Sequence, residues 1–213
     1  MRGARVILLT GFEPFGGEEV NPSSLVAKLA AERLDAMGYA ARSATLPVSF
    51  KRAGVELIKL LEELKPQVCI ALGLNPGSTH VRIERVAVNI KDASKPDNDG
   101  EQPVDEPIDP HGPAAYFATL PTRRILERLR REGIPAALSY TAGTFLCNYA
   151  MYTLLYFASR NGYPLKAGFI HLPYTPEIAA SKPGPPASLS LELQVKAVLL
   201  ATEETLKQTQ PEL

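Results

Sequence analysis

The sequence lacks a charge imbalance and long apolar runs, and it has little cysteine or histidine. Each shortage removes a class of function. Among 213 residues, 23 are basic and 23 acidic, for a formal net charge of zero. No basic face of the kind needed by nucleic acid or an anionic membrane surface is expected. The apolar runs are too short to span a bilayer. The N-terminal stretch enters a strand-like run without a signal-peptide cleavage pattern. A soluble, cytoplasmic protein is therefore expected. There are two cysteines, Cys69 and Cys147, too few for a disulfide framework in a chain of this length. Those two and the scattered His80, His111 and His171 do not have zinc-site spacing, so no metal is expected. Residues 11–17 are glycine-rich but lack the Lys-Ser/Thr of a P-loop and the dinucleotide spacing, so no cofactor is expected either.

Hydrophobic residues make up 45% of the chain, which fits a globular domain with a real core. Residues 5–10 read as a central strand and 11–17 as a loop. Asn21 caps a helix over 22–37, with Pro22 in its first position and Gly38 after its end. A strand over 42–46, a helix from Ser49 or Phe50 to Leu64 and a buried strand over 68–72 follow. This alternation predicts an α/β fold with parallel strands. Residues 73–79 read as a loop and 81–90, rich in β-branched side chains, as one strand. Residues 91–113 carry many Pro, Asp and Gly and no apolar period. A long loop of this kind in a compact domain is expected to cover a site or make subunit contacts. Helices over 121–132 and 188–207 and a strand over 166–172 complete the reading. The chain is expected to form one domain over 1–213.

The stretch Ser139-Tyr140-Thr141-Ala142-Gly143-Thr144-Phe145-Leu146-Cys147-Asn148 organises the rest. It follows a short buried strand and leads into an apolar helix, which puts Cys147 at a helix start. Free backbone N–H groups and the positive dipole end there favour a thiolate and an oxyanion beside it. Gly143 would let the backbone approach a ligand. The competing reading is a buried structural cysteine at a turn. A cysteine nucleophile needs a base and a group that orients the base. His171 ends a buried strand at the carboxyl edge of the sheet, where ligands gather in α/β folds. Cys147 is expected near the same edge, whereas Cys69 lies within a core strand. Strand alternation puts Arg82, Glu84, Val86 and Val88 on one face. A carboxylate on that apolar face needs a partner: either Arg82 or Arg85, or His171. Phe12 and Phe15 either wall a small flat ligand or anchor the core.

Several stretches together resemble the pyroglutamyl peptidase I (pyrrolidone-carboxylate peptidase) family of cysteine peptidases. They are residues 10–17 with Asn21-Pro22, Ile83-Glu84-Arg85-Val86-Ala87-Val88-Asn89, Pro96-Asp97-Asn98, residues 114–121, residues 139–148 and Gly168-Phe169-Ile170-His171-Leu172-Pro173-Tyr174. The resemblance spans nearly the whole chain. It implies a single-domain three-layer α/β/α fold, an open, twisted, mostly parallel sheet with helices on both faces. It also implies a triad of Cys147 as nucleophile, His171 as base and then acid, and Glu84 as orienter. Phe12, Phe15 and Phe145 would flank a pyroglutamyl ring, and Asn21 belongs to the same binding set. A backbone carbonyl at Gly73-Leu74 would hold the lactam N–H. The implied substrates are N-terminally pyroglutamylated peptides, and the implied assembly is a cytoplasmic, metal-free homo-oligomer, a tetramer. A pocket for a small uncharged lactam should be apolar, with a few backbone hydrogen bonds.

The chain departs from the resemblance at Ser78 and Ser94, where arginines are usual, and at Arg82, where Ser or Thr is usual. Arg82 either supplies the missing positive charge near the carbonyl under attack, pairs with an acid of the following loop such as Glu101 or Asp105, or pairs with Glu84 in competition with His171. A binding protein, or a hydrolase of another small acyl group on the same scaffold, is the alternative class.

Overall fold

A computed structural model describes residues 6–207; Arg5, expected in the first strand, lies outside the described residues. The chain runs β1 (Val6–Phe12), α1 (Pro22–Ala36), β2 (Ala40–Leu46), α2 (Ala53–Leu64), β3 (Val68–Leu74), β4 (Val81–Glu84), β5 (Val86–Val88), β6 (Ala115–Phe117), α3 (Thr122–Arg131), β7 (Ala136–Ser139), α4 (Leu146–Arg160), β8 (Lys166–Leu172), α5 (Pro176–Ala180) and α6 (Leu191–Lys207). Six strands form one sheet in the order β2-β1-β3-β8-β4-β7. The first four of that order are mutually parallel. β4 is antiparallel to β8 and parallel to β7, so the last two strands point the other way.

Alternation along the central strands builds two cores. Ile7, Leu9, Val68, Ile70, Leu72, Ile170 and Leu172 face one core with side chains of α1, α3 and α6. Leu8, Cys69, Ala71, Ala167 and Phe169 face the other, with α2 and α4. A strand covered on both faces reads as a continuous apolar run, which is why VCIAL is legible as buried. Each fully buried Leu or Ile contributes roughly 1.5–3 kcal/mol. The same period of two puts His171 on the α2/α4 side, next in line after Phe169.

The local chemistry explains the departures from the sequence reading. Residues 81–90 are two strands, not one. Arg85 N donates to Ser139 O at 2.8 Å, and Arg85 O accepts from Ala118 N at 2.8 Å. The chain thus leaves the main sheet at Arg85 and pairs β5 with β6 in a separate antiparallel ribbon. The shared face is confined to Arg82 and Glu84. β3 continues through Gly73 and Leu74, which the sequence assigned to a loop. α2 starts at Ala53, because Ser49 Oγ accepts from Arg52 N and closes a turn ahead of the helix.

Residues 91–113 hold no helix or strand beyond a Lys91–Glu106 bridge, yet they are tied down. Asp97 Oδ2 accepts from Phe50 N at 2.7 Å, and its Oδ1 takes the amides of Asp99 and Glu101. Asp99 accepts from Ser49 Oγ and from both Nε and Nη2 of Arg52. The Arg52 guanidinium and the Ser49 hydroxyl hold its carboxyl down at about 2. Asn98 Nδ2 donates to Glu13 Oε1 and to Pro14 O, which fixes the glycine-rich loop after β1.

Candidate active site

Cys147 is the second residue of α4, whose first turn has no side-chain cap. The first intrahelical bond at this end is Tyr149 N to Phe145 O at 3.0 Å. The amides of Leu146, Cys147 and Asn148 precede it, so they are free of i→i−4 partners. The Asn148 side chain holds the helix start in place. Its Oδ1 accepts from Val88 N, and its Nδ2 donates to Val88 O and Ile90 O. Gly143 has φ +78°, and a Cβ there would meet nothing within 4 Å. Its role is thus a left-handed turn rather than close approach. The close approach is at Gly73, where a Cβ would lie 2.9 Å from Cys147 Sγ and 2.7 Å from Phe169 Cζ. Only a glycine on β3 leaves room for the sulfur.

Gly73 is in register with His171 across the β3–β8 pair. β7 runs antiparallel to β8, so Cys147 does not reach His171 by lying at the end of its own strand. Residues 140–145 carry the chain from Ser139 to the helix that presents it. On the other side of β8, Arg82 is in register with His171 and Glu84 with Phe169. Glu84 therefore reaches His171 on the diagonal. His171 Nδ1 lies 2.8 Å from Glu84 Oε1, and Glu84 is fully buried. A carboxylate acceptor at that distance places the N–H on Nδ1 and turns Nε2 toward the second partner, Cys147. Burial works against charge on this imidazole. The Cys147 sulfur, as charge and as hydrogen-bond partner, and then Glu84 outweigh burial and raise the group from 6.5 to about 9. His171 thus carries its proton at neutral pH.

Cys147 opens onto a cavity of about 280 Å³, also lined by Phe12, Phe15, Asn21, Leu74 and Phe145. The Phe15 and Phe145 rings stand 5.1 Å apart, and Phe50 meets Phe145 edge-on at 5.4 Å. Asn21 closes the wall next to α1: Oδ1 accepts from Ser23 N and Ser23 Oγ, and Nδ2 donates to Glu13 O. Arg82 does not line this cavity. Its Nη2 donates to Ser139 Oγ at 2.7 Å, and its Nε lies 3.8 Å from Glu84 Oε1. The sequence reading missed Lys95 and Tyr174 at the cavity, and it offered Gly73 only for a backbone carbonyl, not for its close approach to Cys147. Lys95 Nζ sits 4.1 Å from the Phe15 ring centroid at the cavity, and Tyr174 OH donates to Glu18 on the same lining. Gly73 follows VCIAL directly, and a glycine continuing a buried strand is the signal for close approach. The exposed Lys95 gives no such signal.

Cys69 is fully buried in β3, and burial alone pushes its thiol up to about 12. His80 and His111 lie outside β8, in turns between strands. Among the described residues, no three or more His, Cys, Asp or Glu side chains converge as a metal site would. Among them, too, no helix is long and apolar enough to cross a membrane.

The pyroglutamyl peptidase family model matches residues 5–208. The pyrrolidone-carboxylate peptidase of Thermococcus litoralis is 50% identical over 207 residues, 94% of this chain and 92% of that protein. The Pyrococcus furiosus pyrrolidone-carboxylate peptidase is 46% identical over 95% of this chain and 98% of its own length. The solved T. litoralis pyrrolidone carboxyl peptidase superposes with a TM-score of 0.86 at 49% identity, covering 95% of this chain and 93% of that one. The pyroglutamyl peptidase I of Bacillus amyloliquefaciens gives 0.88 at 41% identity over 96% of both chains. By sequence and by fold, the chain belongs to the pyroglutamyl peptidase family of cysteine peptidases.

Proposed function

We propose that this protein removes N-terminal pyroglutamate (5-oxoproline) from peptides by hydrolysing the bond that follows it. Cys147 is the nucleophile, His171 the acid and base, and Glu84 the orienter. The observation that carries this reading is the fully buried Glu84 carboxylate at 2.8 Å from His171 Nδ1, with the Cys147 sulfur as the second partner of the same ring. A buried carboxylate, an imidazolium and a sulfur at an uncapped helix start form a nucleophile–base–orienter set.

In the reaction, the Cys147 thiolate attacks the carbonyl carbon after the lactam ring, and the C=O electron pair moves to oxygen. The Cys147 amide donates to that oxyanion. The C–N bond breaks as His171 gives its Nε2 proton to the departing amine, leaving a thioester. His171 then takes a proton from water, hydroxide adds to the thioester, and collapse releases pyroglutamate and the thiolate. Phe12, Phe15 and Phe145 suit the flat uncharged lactam, and the Leu74 carbonyl is the acceptor for its N–H. Asn21 holds the loop between them. The protein is further read as a cytoplasmic homo-oligomer, a tetramer. The large apolar side chains Phe117 and Val104, 71% and 69% exposed, support association, and mass in solution tests it.

A fluorogenic pyroglutamyl amide, assayed beside free-amine alanyl and prolyl amides, tests the activity. Turnover of the pyroglutamyl amide alone is expected. No turnover of it, or equal turnover of the alanyl amide, would remove the proposal.

A further inference from the structure

We propose that Arg82 is a positioning residue, whose guanidinium pins the Glu84 carboxylate against β7 and keeps it aimed at His171. The inference rests on the triad proposed above. Glu84 is fully buried, and one oxygen serves two cations: Oε1 lies 2.8 Å from His171 Nδ1 and 3.8 Å from Arg82 Nε. The other oxygen, Oε2, is buried without a hydrogen-bond partner among the described residues. A carboxylate held in a dry site by a single hydrogen bond is poorly compensated and free to swing away from the imidazole. The guanidinium supplies the missing charge. Its far edge is fixed, because Nη2 donates to Ser139 Oγ at 2.7 Å and that hydroxyl donates to Thr141 O at 3.2 Å. A planar, permanently charged fork with one arm anchored transmits position in a way a flexible ammonium does not. Arg82 thus ties the orienting residue on β4 to the end of β7, where the segment leading to Cys147 begins.

This arrangement also sets how tightly His171 holds its proton. The groups around Glu84 are His171 from β8, with Cys147 of α4 beyond it, Ser139 from β7, which is neutral, and Arg82 from its own strand. Arg82 is the one fixed positive charge in this group, and it opposes charge on the imidazole while sharing Oε1 with it. Removing it leaves Glu84 wholly to His171, so the imidazolium keeps its proton to higher pH and gives it up less readily to a leaving amine.

The test follows the alkylation rate of Cys147 by iodoacetamide against pH in the full-length protein, beside kcat and KM on the pyroglutamyl amide. The variants are Arg82→Ser, Arg82→Lys and Ser139→Ala. In the wild type, the upper step of the alkylation profile is expected near pH 9, where His171 loses its proton. Arg82→Ser should move that step up by about half a unit or more and lower kcat about tenfold with KM little changed. Arg82→Lys should return the step toward its wild-type position. Ser139→Ala, which only unanchors the guanidinium, should shift it less and in the same direction. A step at the wild-type pH in both Arg82→Ser and Ser139→Ala would overturn the proposal, and a lowered Tm alone would then make Arg82 structural. Should Arg82→Ser fail to fold, the Ser139→Ala profile decides. The alkylation arm needs no substrate. Absence of pyroglutamyl turnover therefore counts against the proposed function, and an unmoved step counts against Arg82.

Discussion

Cys69 and Cys147 meet the same strand with opposite consequences. Cys69 points from the middle of β3 into the core shared with α2 and α4, with no exposed surface and a thiol pushed up to about 12. Along that face come Ala71 and then Gly73, and over Gly73 lies the Cys147 sulfur. Only a few residues separate an inert thiol from one paired with a charged imidazole. The difference is where the sheet ends. Inside it, every neighbour is apolar and each backbone group is spent on the ladder. At its edge, a helix start offers free amides, β8 offers His171, and a cavity opens beside the sulfur. Under the proposed function, reactivity belongs to the position and not to the residue type.

The largest expected effect breaks this comparison outright. Cys147→Ala should abolish pyroglutamyl release and iodoacetamide labelling, whereas Cys69→Ser should keep most of the activity. His171→Ala should match the loss at Cys147, because members of one catalytic unit are not additive. Changes at His80 or His111 should cost little. Full activity after stoichiometric labelling of Cys147 would reverse the assignment of the two cysteines. Next comes Glu84→Gln, which preserves shape but removes the charge behind the imidazole. Turnover should fall by about 10²–10⁴ with affinity for a pyroglutamyl inhibitor unchanged. A matching loss of affinity would instead make Glu84 part of the binding pocket.

Gly73→Ala brings the two regions together with a single methyl group. Its Cβ would stand 2.9 Å from Cys147 Sγ and 2.7 Å from the Phe169 ring, and a displacement of this size costs up to about a hundredfold in kcat. The alkylation rate of Cys147 should fall with it. Unchanged kinetics would mean that the sulfur is not held over β3. Deleting residues 97–105 should cost activity as well, because Asp97 and Asn98 hold Phe50 and the loop carrying Phe15. Mass in solution, measured on the same variant, separates that role from subunit contact.

What could be read from the sequence follows the same division between sheet interior and sheet edge. The buried strands announced themselves, because a strand covered on both faces is an apolar run. The start of α1 did too, since Asn21-Pro22 is a cap written in two letters. Cys147 and His171 were legible because each follows such a run. The break at Arg85 was not, because β-branched residues lie on both sides of it and only the pairing with Ser139 and Ala118 reveals it. β6 was missed because it is three residues long and largely exposed, and α5 because a five-residue helix leaves no period. The partner of Glu84 stayed open between Arg82, Arg85 and His171 because strand order decides it. β4 inserts between β8 and β7, antiparallel to the first and parallel to the second, and the hydrophobic pattern does not encode that order. The outcome is both partners at once: His171 at hydrogen-bond distance and Arg82 behind it.

The smallest expected effect separates the two cysteines by pH without any substrate. His171 has an ordinary value of 6.5 in the unfolded chain and about 9 when folded. The native state therefore binds its proton more tightly, and the resulting stability is complete below pH 6.5 and lost as pH climbs toward 9. Cys69 acts in a higher window. Its thiol ionises near 9 in the unfolded chain and near 12 in the core, so its contribution is whole below pH 9 and disappears above it. Melting curves across pH should show both declines. Each kcal/mol lost lowers Tm by about 2–4 °C in a chain of this size. Cys147→Ala removes the largest of the influences that raise His171, so the first decline should still begin near pH 6.5 but end at lower pH and shrink. Cys69→Ala should leave that decline alone and flatten the second. If Cys147→Ala left the fall between pH 6.5 and 9 unchanged, the sulfur would not be what charges His171. The contrast between the two cysteines would then reduce to burial alone.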